Sequence, residues 1–268
     1  MKVLFSVFAM LVMAHFSLAQ EPGYVQKVII ILEDKSEISG DLISENEREI
    51  VINNTSLGLL NFSRTQVKKV IYLDAKGRIP NPNPTRYFIG QSAYTLEKDE
   101  GYFQNIYGLF NLVSYGITDR FSVIGGVELI SLFSGTPILF ANAKYGFPIS
   151  EKLNAAASFS YLTLAGSLAD FNAGTINGLL TYGTKEHQLT FGTGYAFANG
   201  DIDNSSILTI GGTTRITKRL ALITENYILT SGEGSLISGG VRYIAKKITI
   251  DLIAFQGGVP AIDIVLNF

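Results

Sequence analysis

The sequence contains no cysteine and no tryptophan, and only two histidines and three methionines in 268 residues. Without thiols, disulfide staples and thiolate metal sites are excluded. Strong charge of either sign is missing too. A net charge of −2 gives no electrostatic case for nucleic acid. After residue 19 no long apolar run is found, so a spanning helix of ~20 apolar residues cannot be placed there. Yet the mean hydropathy, +0.26, is high for a protein dissolved in water. The apolar residues are dispersed among Gly, Thr, Ser and Asn. That texture suits membrane strands, which need apolar residues only at alternate positions.

What is present divides into four stretches. Lys2 precedes an apolar run, Val3 to Met13, and Ser17-Leu18-Ala19 supplies small residues before a cleavage point. Residues 1–19 therefore read as a signal peptide, too short to anchor by spanning. Residues 20–75 hold short segments rich in Val and Ile, punctuated by charged and Asn/Gly turns, and read as a small β domain. Residues 76–85 carry three prolines in Pro80-Asn81-Pro82-Asn83-Pro84, which disfavours sheet and helix and predicts a semi-rigid linker. Residues 86–268 then keep one texture to the end.

In that last stretch the pattern predicts about twelve extended segments of the length a tilted spanning strand requires, ~9–11 residues. They are 86–96, 104–116, 121–132, 137–147, 153–164, 172–183, 188–197, 205–216, 219–230, 236–245, 248–256 and 260–268. Segments 104–116 and 219–230 break the alternation. A soluble β-sandwich also alternates, but its strands usually run about 5–6 residues. The connections alternate between tight and longer. The tight ones carry Lys or Arg, and the longer ones lean acidic through Glu97, Asp99, Glu100, Asp170, Asp201, Asp203 and Glu233. Short turns at one end and longer loops at the other are the topology of a transmembrane β-barrel.

Two resemblances sharpen this reading. In Ala261-Ile262-Asp263-Ile264-Val265-Leu266-Asn267-Phe268 one face is apolar and the chain stops on Phe. This resembles the closing strand of a Gram-negative outer-membrane β-barrel protein, as does the turn Tyr115-Gly116-Ile117-Thr118-Asp119-Arg120-Phe121. The resemblance implies an antiparallel barrel in the outer membrane, with lipid and the barrel-insertion machinery as partners and Phe268 as the terminal insertion signal. The phrase V-I-I-I-L-E-D-K-S-E-I-S-G-D-L-I-S is similar to the opening hairpin of SH3-like or Sm-like small barrels, with Gly40 at the bend. It implies an SH3-like domain on the periplasmic side.

Chemistry is scarce. A hydrolase would need an imidazole base. His15 leaves with the signal, and His187 falls in a tight turn beside Glu186, where a solvated turn residue is expected. No phosphate loop, metal-ligand cluster or dinucleotide fingerprint is found, so neither an enzyme nor a cofactor is expected. Alternation does place Glu128, Lys144, Arg215, Arg242, Asp251 and Asp263, together with Glu225, toward the lumen. They read either as mutually neutralising pairs or as a charge ladder for a solute. The expected fold is all-β, a barrel of about twelve strands after a small SH3-like barrel. The expected function is a narrow channel for small solutes. The alternative is a non-conducting anchor that meets a periplasmic protein or the envelope through its small domain or acidic outer loops.

Overall fold

The computed structural model describes residues 25–165, 171–232 and 234–268. The expected signal peptide, the first residues of the small domain, Asp170 and Glu233 lie outside them. The described residues divide into two compact units, one ending at Pro80 and one holding Asn81–Phe268.

The first unit is an antiparallel sheet of β1 (Lys27–Leu32), β2 (Glu37–Glu45), β3 (Glu49–Asn54), β4 (Gly58–Ser63) and β5 (Val67–Tyr72). Their spatial order is β4-β3-β2-β1-β5, so β5 returns to pair with β1 and the two edges are β4 and β5. The period-2 pattern turns Val28, Ile30, Ile50, Ile52 and Phe62 to one side, where all are buried. Each contributes ~1.5–3 kcal/mol on burial. A short 3₁₀ turn, Arg64–Gln66, joins β4 to β5, and Ser63 and Gln66 cap it reciprocally. Arg64 and the Tyr72 hydroxyl both meet the carboxylate of Glu45. In the β1–β2 turn, the hydroxyl and amide of Ser36 hold the Asp34 carboxyl below its usual range.

The second unit is a closed antiparallel barrel. Its strands are β6 (Gly101–Ile106), β7 (Phe110–Thr118), β8 (Phe121–Glu128), β9 (Ile138–Ser150), β10 (Leu153–Leu164) and β11 (Asn172–Gly183). They continue as β12 (His187–Ala198), β13 (Asp201–Arg215), β14 (Leu220–Leu229), β15 (Ser235–Ile244), β16 (Ile248–Phe255) and β17 (Pro260–Asn267). Each strand pairs with its sequence neighbours, and β17 closes on β6 through Asp263↔Ile106 to Asn267↔Tyr102. A five-residue helix, α1 (Leu129–Phe133), interrupts the β8–β9 connection.

Twelve strands are present, but not the twelve expected. Segment 86–96 is no wall strand; the first is β6. Segment 104–116 is a hairpin, turned at Tyr107 and Gly108, whose positive φ values of 56° and 73° match a type I′ turn. The two errors cancel in the count. They also move Glu97, Asp99 and Glu100 to the tight-turn end, where Glu100 and Asp99 hydrogen-bond the backbone of Gly116. The acidic lean of the loop end is weaker by those three residues.

The distribution of side chains is inverted relative to a soluble core. On β16, Thr249, Asp251 and Ile253 are buried inside while Leu252 is 58% exposed; on β17, Asp263 and Val265 face in and Ile262, Ile264 and Leu266 face out. Phe191, Ile176 and Tyr195 are likewise more than half exposed on the outer wall. At the tight-turn end Tyr145 and Phe147 pack at 4.9 Å, and Tyr182 and Phe268 are also exposed. Phe268 sits at that rim, exchanging backbone hydrogen bonds with Gly101.

Candidate functional site: a lumen closed by a re-entrant strap

The segment between the prolines and β6 runs inside the barrel. It starts at the tight-turn end, where the Asn81 side chain donates to the Lys185 carbonyl at 3.0 Å. From there it climbs to a tip at Ile89-Gly90 and descends again to Leu96. Tyr87 N–H donates to the Gly90 carbonyl at 2.8 Å, which closes the tip, and Arg86 bridges to Gln91. Pro80, Pro82 and Pro84 have no donor for a wall ladder, and the residues that follow them run inside. Inside the lumen their backbone groups must instead find side-chain partners.

The barrel wall supplies them. Glu225 accepts from the amides of Phe88 at 2.7 Å and Ile89 at 2.9 Å, which fixes the tip. On the opposite wall the Lys144 ammonium donates to the carbonyls of Thr85, Ser92 and Tyr94 at 3.1, 3.0 and 2.6 Å, tying the two limbs together. Gln188 reaches the Pro84 carbonyl at 2.8 Å, and Gln104 reaches that of Phe88 at 2.8 Å. Ala93 N–H donates to Thr181 at 2.7 Å. Gly211 leaves space for the Tyr87 ring, whose hydroxyl meets Thr190 at 2.5 Å.

At the centre lies a four-membered charge cluster. Arg86 of the strap contacts Asp251 at 3.0 Å and Asp263 at 2.9 Å. Arg242 clasps Asp251 through two nitrogens at 2.7 Å and also donates to the Tyr87 carbonyl at 2.6 Å. Asp251 and Asp263 are register partners on β16 and β17, a pairing that repels when both are charged. Arg86 offsets that repulsion. Paired in this way, the cluster satisfies the rule that buried charges need partners, and breaking one such pair typically costs ~3–5 kcal/mol.

Lys144, Arg242, Asp251 and Asp263 thus all meet the strap or its charge cluster. Two expected lumen residues sit at the rims instead. Glu128 ends β8 at the loop end, where its carboxylate caps α1 by accepting from Ile130 N at 2.8 Å and Ser131 N at 2.6 Å. Arg215 lies at the tight-turn end and donates to the Thr217 carbonyl at 3.1 Å and to Glu186 at 3.2 Å. His187 is not a solvated turn residue: it begins β12, is buried, and its Nδ1 lies 2.7 Å from the Thr214 hydroxyl.

Above the strap tip the lumen widens into a chamber of about 1130 Å³, open at the loop end. Phe88, Ile106, Leu112, Phe140 and Leu179 are among its walls, and Ile89 and Gly90 lie at its floor. The structure therefore places a packed polar plug at one end and a largely apolar chamber at the other.

No family model matches the chain, and no curated protein matches it. Among solved structures it is similar to the KdgM porin in complex with disordered oligogalacturonate, at 11% identity and a TM-score of 0.47, covering 63% of this chain and 96% of that one. It is also similar to the Acinetobacter baumannii outer membrane protein Omp33, at 11% identity, a TM-score of 0.36 and coverage of 63% and 95%. A third is a loop-deletion mutant of OmpT from Vibrio cholerae, at 13% identity, a TM-score of 0.35 and coverage of 91% and 96%.

Sequence reading missed Arg86, the residue on which the cluster turns. One signal pointed to it. The expected inward acids Glu128, Glu225, Asp251 and Asp263 outnumber the expected inward bases Lys144, Arg215 and Arg242, so the reading is one cation short. The strap carries it.

Proposed function

We propose that the chain is an outer-membrane β-barrel that passes small solutes and is held shut at rest by the strap of residues 81–96. The observation that carries this reading is the inverted wall, with polar and charged side chains buried inward and large apolar ones exposed outward. Such a surface is stable against hydrocarbon and would aggregate in water. The aromatic residues at the tight-turn end match an interfacial girdle, and short turns there with longer loops at the other end support an orientation with the tight turns toward the periplasm. Phe268 at that rim supports its reading as an insertion signal.

Planar-bilayer recording tests the proposal. Full-length protein should show small, infrequent openings, and a variant lacking residues 82–94 should conduct persistently. A folded deletion variant that carries no current, and admits no sugar into liposomes, would overturn the channel reading.

A second role rests on the first unit, a five-stranded sheet whose outermost strands are β4 and β5. We read it as an SH3-like domain, and an edge strand is a ready template for another chain. We assign it to docking a periplasmic protein or the envelope. Deleting residues 24–75 should abolish that attachment and leave conductance unchanged.

A further inference from the structure

The chamber above the strap differs in chemistry from the plug beneath it. Among the described residues the one basic side chain on its walls is Arg86, already engaged by two carboxylates, while Asp201 and Asp203 bring acidic groups to its walls. An anionic ligand would meet no unengaged cation among the described lining residues. Tyr161 and Phe197 stack at 6.4 Å and offer a flat aromatic face, and Ser158, Thr175 and Thr209 add scattered neutral hydrogen-bonding groups. Apolar walls with a few polar groups characterise small-molecule sites, which typically span roughly 300–1,000 Å³.

The wall around this chamber is uneven. Strands β9 to β13 have 13, 12, 12, 12 and 15 residues, whereas β16, β17, β6, β7 and β8 have 8, 8, 6, 9 and 8. Six residues at a rise of ~3.4 Å, tilted ~40°, climb about 15 Å, well short of the ~25 Å apolar band of such membranes. The rim on that side is also apolar where a water-facing loop would be polar. Tyr107 is 47% exposed, Ile130 63%, Phe133 85% and Val259 59%. Tyr107 and the adjacent Phe110 belong to this rim and to the chamber wall at once.

From these two observations we propose that the chamber binds a neutral, apolar, ring-bearing small molecule that exchanges with the outer leaflet over the low rim formed by the β6–β7 turn and α1. The proposal rests on the membrane reading given under Proposed function and names the ligand class and its route.

The test uses full-length protein in phosphatidylcholine liposomes and trifluoromethyl-phenyl-diazirine, a small neutral photoreactive probe that partitions into bilayers. Peptide mapping should find adducts on outward residues such as Phe191 and Leu252, and also on the chamber residues Leu179 and Phe197. Narrowing the chamber beside the Tyr161–Phe197 face with Ala196→Trp should lower the adducts on Phe197 and leave the outward ones unchanged. Outward labelling without chamber labelling overturns this inference alone. No outward labelling overturns the membrane reading beneath it. The route is read separately from a fluorophore on Phe133→Cys, the only thiol in that variant. Quenching by acyl-chain nitroxide lipids, and not by aqueous iodide, is expected; the reverse places the rim in water and overturns exchange with the leaflet.

Discussion

Replacing Arg86 with Met removes the cation shared by Asp251 and Asp263 and keeps much of the side-chain volume. Asp251 retains its two bonds from Arg242, but Asp263 is left with Gln104, at 2.6 Å. Breaking a buried pair of this kind costs ~3–5 kcal/mol because one charge is left uncompensated. The whole cost falls on the state in which the strap is seated, since release lets water reach Asp263. At ~1.4 kcal/mol per tenfold change, the seated-to-released equilibrium should shift by about a hundred- to several-thousand-fold. Bilayer recording should show openings that are far more frequent or continuous. Adding Asp263→Asn removes the uncompensated charge and should return much of the closed time. Lys247→Met, an exposed turn substitution, should leave the trace unchanged. The reasoning is refuted if folded Arg86→Met closes as the parent does, or if the second substitution makes no difference.

Other expectations follow from neighbouring contacts. Lys144→Met takes a donor from three strap carbonyls, of which that of Thr85 keeps the Ser92 amide, at ~1–3 kcal/mol for buried groups left unsatisfied, and amide exchange across residues 85–94 should rise tenfold or more in mass spectrometry. Gly211→Leu drives a side chain into the Tyr87 ring and should cost ~1–3 kcal/mol by overpacking, seen as a lower barrel melting temperature. Gly178→Ala, whose added methyl meets nothing nearer than 4.0 Å, should not lower it. In the first unit Ile30→Ala opens a cavity in a fully buried site and should cost ~2–5 kcal/mol. Proteolysis within residues 25–72 should accelerate while the barrel stays resistant.

The wall was legible in the sequence because its signal is periodic. Strands β10, β11 and β12 were expected within a residue of where they lie, and the faces of β17 follow directly from Ile262, Asp263, Ile264, Val265 and Leu266. The errors fall where periodicity is not the governing rule. Tyr107-Gly108 lacks the Asn or Asp that usually marks a two-residue turn, so β6 and β7 read as one strand; Asn199-Gly200, which has it, was placed in a connection. The strap reads as a strand because Tyr87 and Phe88 are apolar and Arg86 and Gln91 polar, as a wall segment would be. Its partners are nevertheless single side chains scattered over many strands, from Gln104 to Asp263. No local pattern encodes that arrangement. The charge cluster shows the same limit: its wall members were visible by alternation, whereas the cation that joins them came from outside the wall.

The strap is joined directly to β6, and β6 is the strand that meets β17 when the barrel closes. That connectivity has a bearing on assembly. A plug attached to the closing strand need not be threaded through a finished cylinder, because it arrives with the seam. Until it does, Asp251 and Asp263 face each other on adjacent strands with only Arg242 between them and full repulsion. Closure and charge neutralisation are thus one event, and the barrel folds around its own counter-ion. Arg86→Met should accordingly slow the last step of refolding, the appearance of the compact heat-resistant form, more than the earlier growth of sheet measured by circular dichroism.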